Sequence, residues 1–385
     1  MRCQLALLGI AVLLAACAGG RSNVEPPAPL APFSPAARIK QVWSVDVGKG
    51  ESKKFVKLAP AIHEGVLYAV DIDGRVSAFA VEKGARIWSV ELDESVSAAV
   101  GFGEGLVLIG TKSGSVFALG PQSGELRWKS TVSTEILAGP AAQSDVVVVQ
   151  TIDGKVFGLS AADGKRLWVQ QRTEPPLSLR GTSAPVIKGG VVFTGFANGK
   201  LIAINLRTGQ PLWERDVARP RGRNEIERLI DVDAPPLVVG SVLFAVSYQG
   251  KVVAINSSTG RVLWSRDESS YSGMDADSQN IYLTDAKGNV LALDQRSGSS
   301  LWKQDKLHAR RLNAPTLVDQ YVAVGDLQGY VHWLSLETGA FVARNRVGGG
   351  PIRGKAIALG DTLFVQEEGG VLAALRIEPK AKSSR

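Results

Sequence analysis

The chain has 385 residues, 45% of them hydrophobic, with a formal charge of +7 and an isoelectric point near 9.3. That length is enough for one large or two ordinary domains with real cores. The basic balance admits an acidic partner or an anionic membrane surface nearby; it selects for no nucleic acid, because Lys and Arg are spread along the chain and the one dense run, Arg215–Arg228, carries acids too.

In chain order, the first element is an apolar run from Leu5 to Leu14 behind Arg2, followed by small residues. It is too short to span a bilayer, which needs about 20 apolar residues, and it fits a secretory signal. Its end, "LAAC" at Leu14–Cys17, resembles the bacterial lipoprotein signal. That resemblance implies that residues 1–16 are removed and that Cys17 is lipidated as the new N-terminus. Ala18, in place of an Asp, implies release to the outer membrane. The other reading is an ordinary signal with a chance cysteine. Cys3 and Cys17 are the only cysteines, so on the lipoprotein reading no disulfide supports the rest of the chain. Several acyl chains anchor firmly where one binds marginally. Residues 17–38, rich in Pro, Ala, Gly and Ser, predict a flexible tether, since they offer too little apolar surface to fold.

From there the chain repeats itself. Eight glycines follow a turn at matching places, Gly74, Gly114, Gly154, Gly199, Gly250, Gly288, Gly329 and Gly370, at intervals of 38 to 51 residues. Two places on stands Val or Leu. Four on stands Ala or Gly in seven copies, Trp333 being the exception, and five on stands a large apolar residue. Ten residues after seven of these glycines comes another, and four beyond that a Trp in six copies: Trp88, Trp128, Trp168, Trp213, Trp264 and Trp302. The seventh copy has Ala343 there. Each unit reads as four strands: a short one, a β-branched run such as "DVVVVQ", an alternating strand after the first turn, and the Trp strand after the second. Four strands in about 42 residues, repeated, make a propeller blade. The small residues in mid-strand are expected to let neighbouring blades approach closely. The eighth copy, "GGVLAALRIEP", lacks its Trp strand, and "IKQVWSVDVG" with Trp43 stands before the first. The expectation is an all-β, eight-bladed propeller over residues 39–378, closed by the strand around Trp43 pairing with the last blade, with residues 379–385 a basic tail. Seven of the eight tryptophans then occupy one repeat position, which reads as packing between blades. Burying about 150–250 Å² of each is worth up to about 4–6 kcal/mol.

Few residues suggest catalysis. His63, His308 and His332 show no metal-ligand spacing, and neither a Gly-x-Ser-x-Gly elbow nor a His-Glu-x-x-His pair is present. "DIDG" at Asp71–Gly74 places its Gly fourth, where a calcium loop needs it sixth, and reads as a strand turn. No cofactor or metal is expected. The repeats themselves resemble the pyrroloquinoline-quinone type of the quinoprotein dehydrogenases, which implies eight blades. Those enzymes commonly carry an adjacent-cysteine disulfide and a calcium-bound catalytic centre, which this chain does not match.

Insertions mark function in repeat proteins. The two longest intervals, 45 and 51 residues, are consecutive, and their extra residues follow the Trp strands of the third and fourth blades, at Gln170–Pro185 and Arg215–Pro236. Both connections run from an outermost strand to the next innermost one, so both are expected on one face, as a contiguous polar surface suited to a protein partner. With the lipoprotein signal, the Pro-rich segment and the eight repeats, the words "LSLRGTSAP" and "RLIDVDAPP" resemble the BamB family of lipoproteins in the outer-membrane β-barrel assembly (BAM) machinery, over essentially the whole chain. That resemblance implies a non-enzymatic scaffold, lipid-anchored to the periplasmic side of the outer membrane. It implies docking on the POTRA domains of the barrel subunit BamA and a role in inserting β-barrel proteins, with unfolded clients as possible further partners. Carried over by position, Leu177, Leu179 and Arg180 match the first docking motif, and Asp231 and Asp233 the second. Two apolar anchors with an Arg and carboxylates would make a small hot spot. The other reading of Arg180 is an internal pair with Asp231 or Asp233 that braces the loops. The alternatives from other classes are a quinoprotein-like periplasmic dehydrogenase and a ligand-binding propeller.

Overall fold

The computed structural model describes residues 25–379, apart from 52, 53, 55, 176, 180, 221 and 225. All regular structure among them is strand. Eight four-stranded antiparallel sheets follow one another as blades: Ala61–Glu91, Gly101–Thr131, Ala141–Gln171, Val186–Asp216, Leu237–Asp267, Met274–Gln304, Thr316–Arg346, and a last blade of Ile357–Pro379 completed by Ala37–Asp46. The closing strand pairs from Ala37 opposite Pro379 to Asp46 opposite Val371. Sheet edge that an open array would expose is thereby paired within the ring.

Burial peaks in the two middle strands of each blade. In blade three, the short innermost strand is half-buried and the outermost mostly exposed. There the second strand Val146–Gln150 is buried throughout and the third, Lys155–Ser160, over its four central residues. In the outermost strand, Arg166–Gln171, only Trp168 is buried. That Trp does three things. It lies opposite Gly158 of its own blade, where a Cβ would meet the indole. It covers Gly209, in the turn before the outer strand of blade four. It donates its indole N–H to the Leu206 carbonyl in that same turn, at 2.8 Å. The arrangement repeats at Trp43, Trp88, Trp128, Trp213, Trp264 and Trp302, each bonded to a carbonyl of the following blade at 2.7–2.9 Å. The small residue of the repeat therefore makes room for the Trp of its own sheet, rather than for the neighbouring blade as its sequence position suggested. The glycine ten residues on is the one that meets the neighbour. It needs a positive φ (+70° at Gly209), and any side chain there would collide with the indole.

Blade seven reverses the pair. Trp333 stands opposite Ala343 in register, with its indole N–H on the Asn345 side chain at 3.0 Å, and it is fully buried. The large and small residues have exchanged strands, so the volume is kept.

One segment differs from its expectation. Composition predicts a flexible tether over residues 17–38; residues 17–24, Cys17 among them, lie outside the described residues, whereas 25–36 run along the outer strand of blade seven. Phe33 stacks on Phe341 at 5.4 Å, Ala36 N–H bonds the Val342 carbonyl at 2.9 Å, and Arg344 reaches the Ala31 carbonyl at 3.1 Å. Composition undercounted this stretch. One aromatic ring and a few free carbonyls suffice when an open strand edge, buried Arg310 and half-buried Arg344 receive them, and prolines lack the N–H groups that would otherwise need partners.

Candidate functional site

The blade-to-blade connections and the turns between second and third strands share one face of the ring, called the upper face below. Both insertions emerge there. The first leaves blade three at Arg172, whose guanidinium bonds Glu214 of blade four at 2.9 Å; Lys200 holds the other Glu214 oxygen at 2.5 Å. Thr173 is tied to the Asn198 side chain at 3.0 Å. The segment then crosses toward the central channel through Leu177, which is 43% exposed, and half-buried Leu179 before entering blade four.

The second insertion carries an exposed turn that includes Arg223, Asn224 and Ile226–Arg228. Glu227 accepts from the Arg223 backbone at 2.7 Å and the Asn224 side chain at 2.9 Å, and leaves Ile226 67% exposed at the tip. Its return, Ile230–Ala234, is buried at every residue. Ile230 and Val232 pack on Gly199 and Gly195 of blade four, where no side chain would fit, and Tyr248 of blade five donates its N–H to the Asp231 carbonyl at 2.8 Å. This short stretch thus wedges between two blades.

The wedge holds the first insertion. The carboxylate of Asp231, wholly buried, accepts the backbone N–H of Leu179, while its other oxygen has no hydrogen-bond partner. Gly181 lies against the Asp233 carboxylate so closely that a Cβ would sit 2.6 Å from Oδ2. Burial pushes Asp231 up to about 7, with Asp233 adding to the effect, and Asp233 to about 6. Glu174, in the first insertion, is also pushed up to about 7 by burial, and its Oε2 lacks a partner. Three carboxyl groups thus share one poorly solvated junction between the insertions.

Leu179 and Asp233 separate two cavities. One, of about 310 Å³, lies between blades three and four and includes Glu135, Gln150 and Glu174; the other, of about 300 Å³, is the channel mouth, with Lys57, Tyr248, Tyr271 and Arg311. Lys57 stands in the channel, bonded to the Tyr271 carbonyl at 3.0 Å, and its enclosure by the ring lowers its pKa against the pull of Asp233 and Glu51. Among the described residues, no group of three or more His, Cys, Asp or Glu side chains is placed to hold a metal ion. His63 stacks on Phe102, His308 meets Glu25, and His332 lies buried against Asp326.

Of the residues singled out in the sequence, the structure brings Leu179, Asp231 and Asp233 together at one junction, with both aspartates inward, while Leu177, two positions earlier, is exposed. Arg180 lies outside the described residues. Sequence reasoning missed Glu174, Ile226 and Ile152, the last two being exposed apolar residues on this same face. An isolated Ile in a charged run was the available signal for Ile226; nothing local marks Glu174 as buried.

The description that matches the chain in a scan of family models is "Outer membrane protein assembly factor BamB", over residues 36–98, 72–304 and 286–379. The chain is 46% identical over 372 residues to the outer membrane protein assembly factor BamB of Pseudomonas aeruginosa, covering 97% of this chain and 98% of that one. The crystal structure of BamB from Moraxella catarrhalis superposes with a TM-score of 0.81 at 28% identity, over 88% of this chain and all of that one. The quinohemoprotein alcohol dehydrogenase of Comamonas testosteroni gives 0.71 at 11% identity, covering 90% of this chain and 78% of that one; this likeness is one of fold alone.

Proposed function

This chain belongs to the outer membrane protein assembly factor BamB family, and from that premise we propose that it is a non-enzymatic scaffold of the outer-membrane protein assembly machinery. It is held by lipid at Cys17 on the periplasmic side of the outer membrane. Its upper face docks on the POTRA domains of BamA, and by doing so it assists the assembly and insertion of β-barrel proteins.

The observation that carries the reading is the interlock of the two insertions. A buried aspartate of one fixes the backbone of the other at Leu179, so that Leu177, Leu179 and Ile226 are presented from a preorganised surface. Preorganisation matters because ordering two long loops on binding would cost about 0.5–1.5 kcal/mol for each side chain immobilised. On this reading Asp231 and Asp233 act from beneath, by holding the loop, while the apolar side chains and Arg180 meet the partner. That its relatives are named assembly factors supports the non-enzymatic part.

The test is co-purification with BamA from detergent-solubilised envelopes. Leu179→Ala combined with Arg180→Glu, in protein whose thermal unfolding is unchanged, should abolish capture. Undiminished capture would overturn the proposed interface.

A further inference from the structure

The segment before the closing strand sets where the chain leaves the ring. The closing strand rises from Ala37, at the lower face, to Asp46 at the upper one. Residues 25–36 run the opposite way along the outer edge of blade seven. Phe33 lies against Phe341 near the lower turn, Ala31 meets Arg344 midway, and Ala28 and Glu25 meet the connection between blades six and seven at the upper face. Ala28 N–H bonds the His308 carbonyl at 3.0 Å, its own carbonyl accepts from Arg310 at 2.8 Å, and Glu25 reaches His308 Nε2 at 2.9 Å.

These contacts are built into the core of the blade. Arg310 is almost wholly buried and pairs with Asp326 at 2.6–2.7 Å. Asp326 also meets His332 Nε2 at 2.9 Å, and His332 Nδ1 accepts from Arg344 at 3.0 Å, which fixes the ring proton on Nε2. The Arg344 guanidinium lies over Phe33 and Phe341, at 5.0 and 5.2 Å. Each arginine gives one donor to a carbonyl of the segment, Arg310 Nη1 to Ala28 and Arg344 Nη1 to Ala31, and without the segment those half-buried donors would lose their partners.

We infer that residues 25–36 are a fixed leash that brings the lipid anchor out on the upper face, beside blades six and seven, and turns the basic sector there toward an anionic lipid surface. This rests on the reading of Cys17 as lipidated. Eight peptide units separate Cys17 from Glu25 and reach at most about 29 Å. A chain free up to Ala37 would have 20 units, about 70 Å, and would start from the opposite face. The sector within reach exposes Lys287, Lys303, Lys306, Arg311 and Arg346. None of these pairs with a carboxylate among the described residues; the exposed acids beside them are Asp305 and Glu25, the latter against His308. Such a cluster is attracted to anionic headgroups within about a Debye length. The anchor and the insertions then share a face, so a partner docked on blades three to five lies against the membrane.

The experiment uses the lipidated full chain in vesicles of 70% phosphatidylcholine and 30% phosphatidylglycerol carrying a headgroup quencher. A fluorophore is placed through Lys306→Cys, or through Asp163→Cys in a lower turn of blade three. Quenching at 306 should exceed that at 163 by about threefold or more, and replacing residues 25–34 with Gly-Ser of equal length should bring the two together. Vesicles of phosphatidylcholine alone should reduce the excess. Equal quenching at both sites in protein whose Cys17 is acylated by mass would overturn the leash alone. Absence of acylation would remove the anchoring reading and the leash with it.

Discussion

The rim of the ring and its upper face are built on opposite principles. At the rim, seven indoles each cover a glycine of the next blade and spend their single N–H on one of its carbonyls, leaving no indole N–H unmet. At the junction of the insertions, three carboxyl groups are crowded into a poorly solvated space, and two of their oxygens have no partner. Cohesion is repeated and redundant; the crowding of these three carboxyl groups belongs to the place where the repeat is interrupted. The contrast implies that damage at the rim shows in stability, and damage at the junction shows in loop order and partner binding.

The largest effect should come from the rim. Trp168→Ala removes an indole wedged between blades three and four and should lower stability by about 3–5 kcal/mol, read from urea unfolding. A loss below about 1 kcal/mol would break the view of these residues as structural staples. Next is the exchanged pair of blade seven. Ala343→Trp forces a second indole against Trp333 and should cost about 1–3 kcal/mol by overpacking, whereas Trp333→Ala with Ala343→Trp should recover most of the loss, because volume is restored in register.

At the junction the expected effects are smaller and differ in kind. Asp231→Ala leaves the Leu179 N–H buried without an acceptor, at a cost of about 1–3 kcal/mol to loop closure, and hydrogen exchange at Leu179 should accelerate accordingly. Asp231→Asn keeps an acceptor and sheds the charge, so it should be tolerated far better. The same carboxyl groups set a pH direction. Their folded pKa values, about 6 to 7, lie above the ordinary range near 4, so the closed loops bind more protons than the open ones between these limits. Loop stability is therefore full below about pH 4 and falls as pH rises through 6 to 7, levelling off above about 8. Amides in residues 172–185, with rates divided by the intrinsic exchange rate at each pH, should be less protected at pH 8 than at pH 5, with the difference reduced in Asp231→Asn; the reverse slope would show that the junction is better solvated than its geometry indicates. The smallest change to stability belongs to Ile226→Ser. At 67% exposure it should shift unfolding by no more than about 0.5 kcal/mol, yet weaken capture of the partner severalfold if the tip touches it.

Much of the fold was legible because a propeller writes one rule many times. Glycine, small residue and Trp recur at fixed offsets, and each offset has a local reason: a positive φ, a place under an indole, a site to cover. The swap at Trp333 and Ala343 could be read as mutual repacking since two departures in one blade pointed at each other. The same reading gave the small residue the wrong neighbour, as nothing in a one-dimensional period says whether Trp168 leans on Gly158 or on the next blade. It does both, through different glycines. Residues 25–36 look incapable of order on composition, and they are held by Arg310 and Arg344, 282 and 313 positions from their partners.

The sequence alone determined the number of blades, the closing strand, and which two connections depart from the pattern, because periodic burial needs only local spacing to be seen. Only the tertiary structure decided that Asp231 and Asp233 point inward, that one insertion holds the other at Leu179, and that the chain leaves the ring on the same face. Those outcomes depend on which distant segments meet and how much water the meeting excludes. A carboxylate has the same letter whether it ends in solvent or beneath a loop; burial, which sets its charge and its role, belongs to the assembled ring.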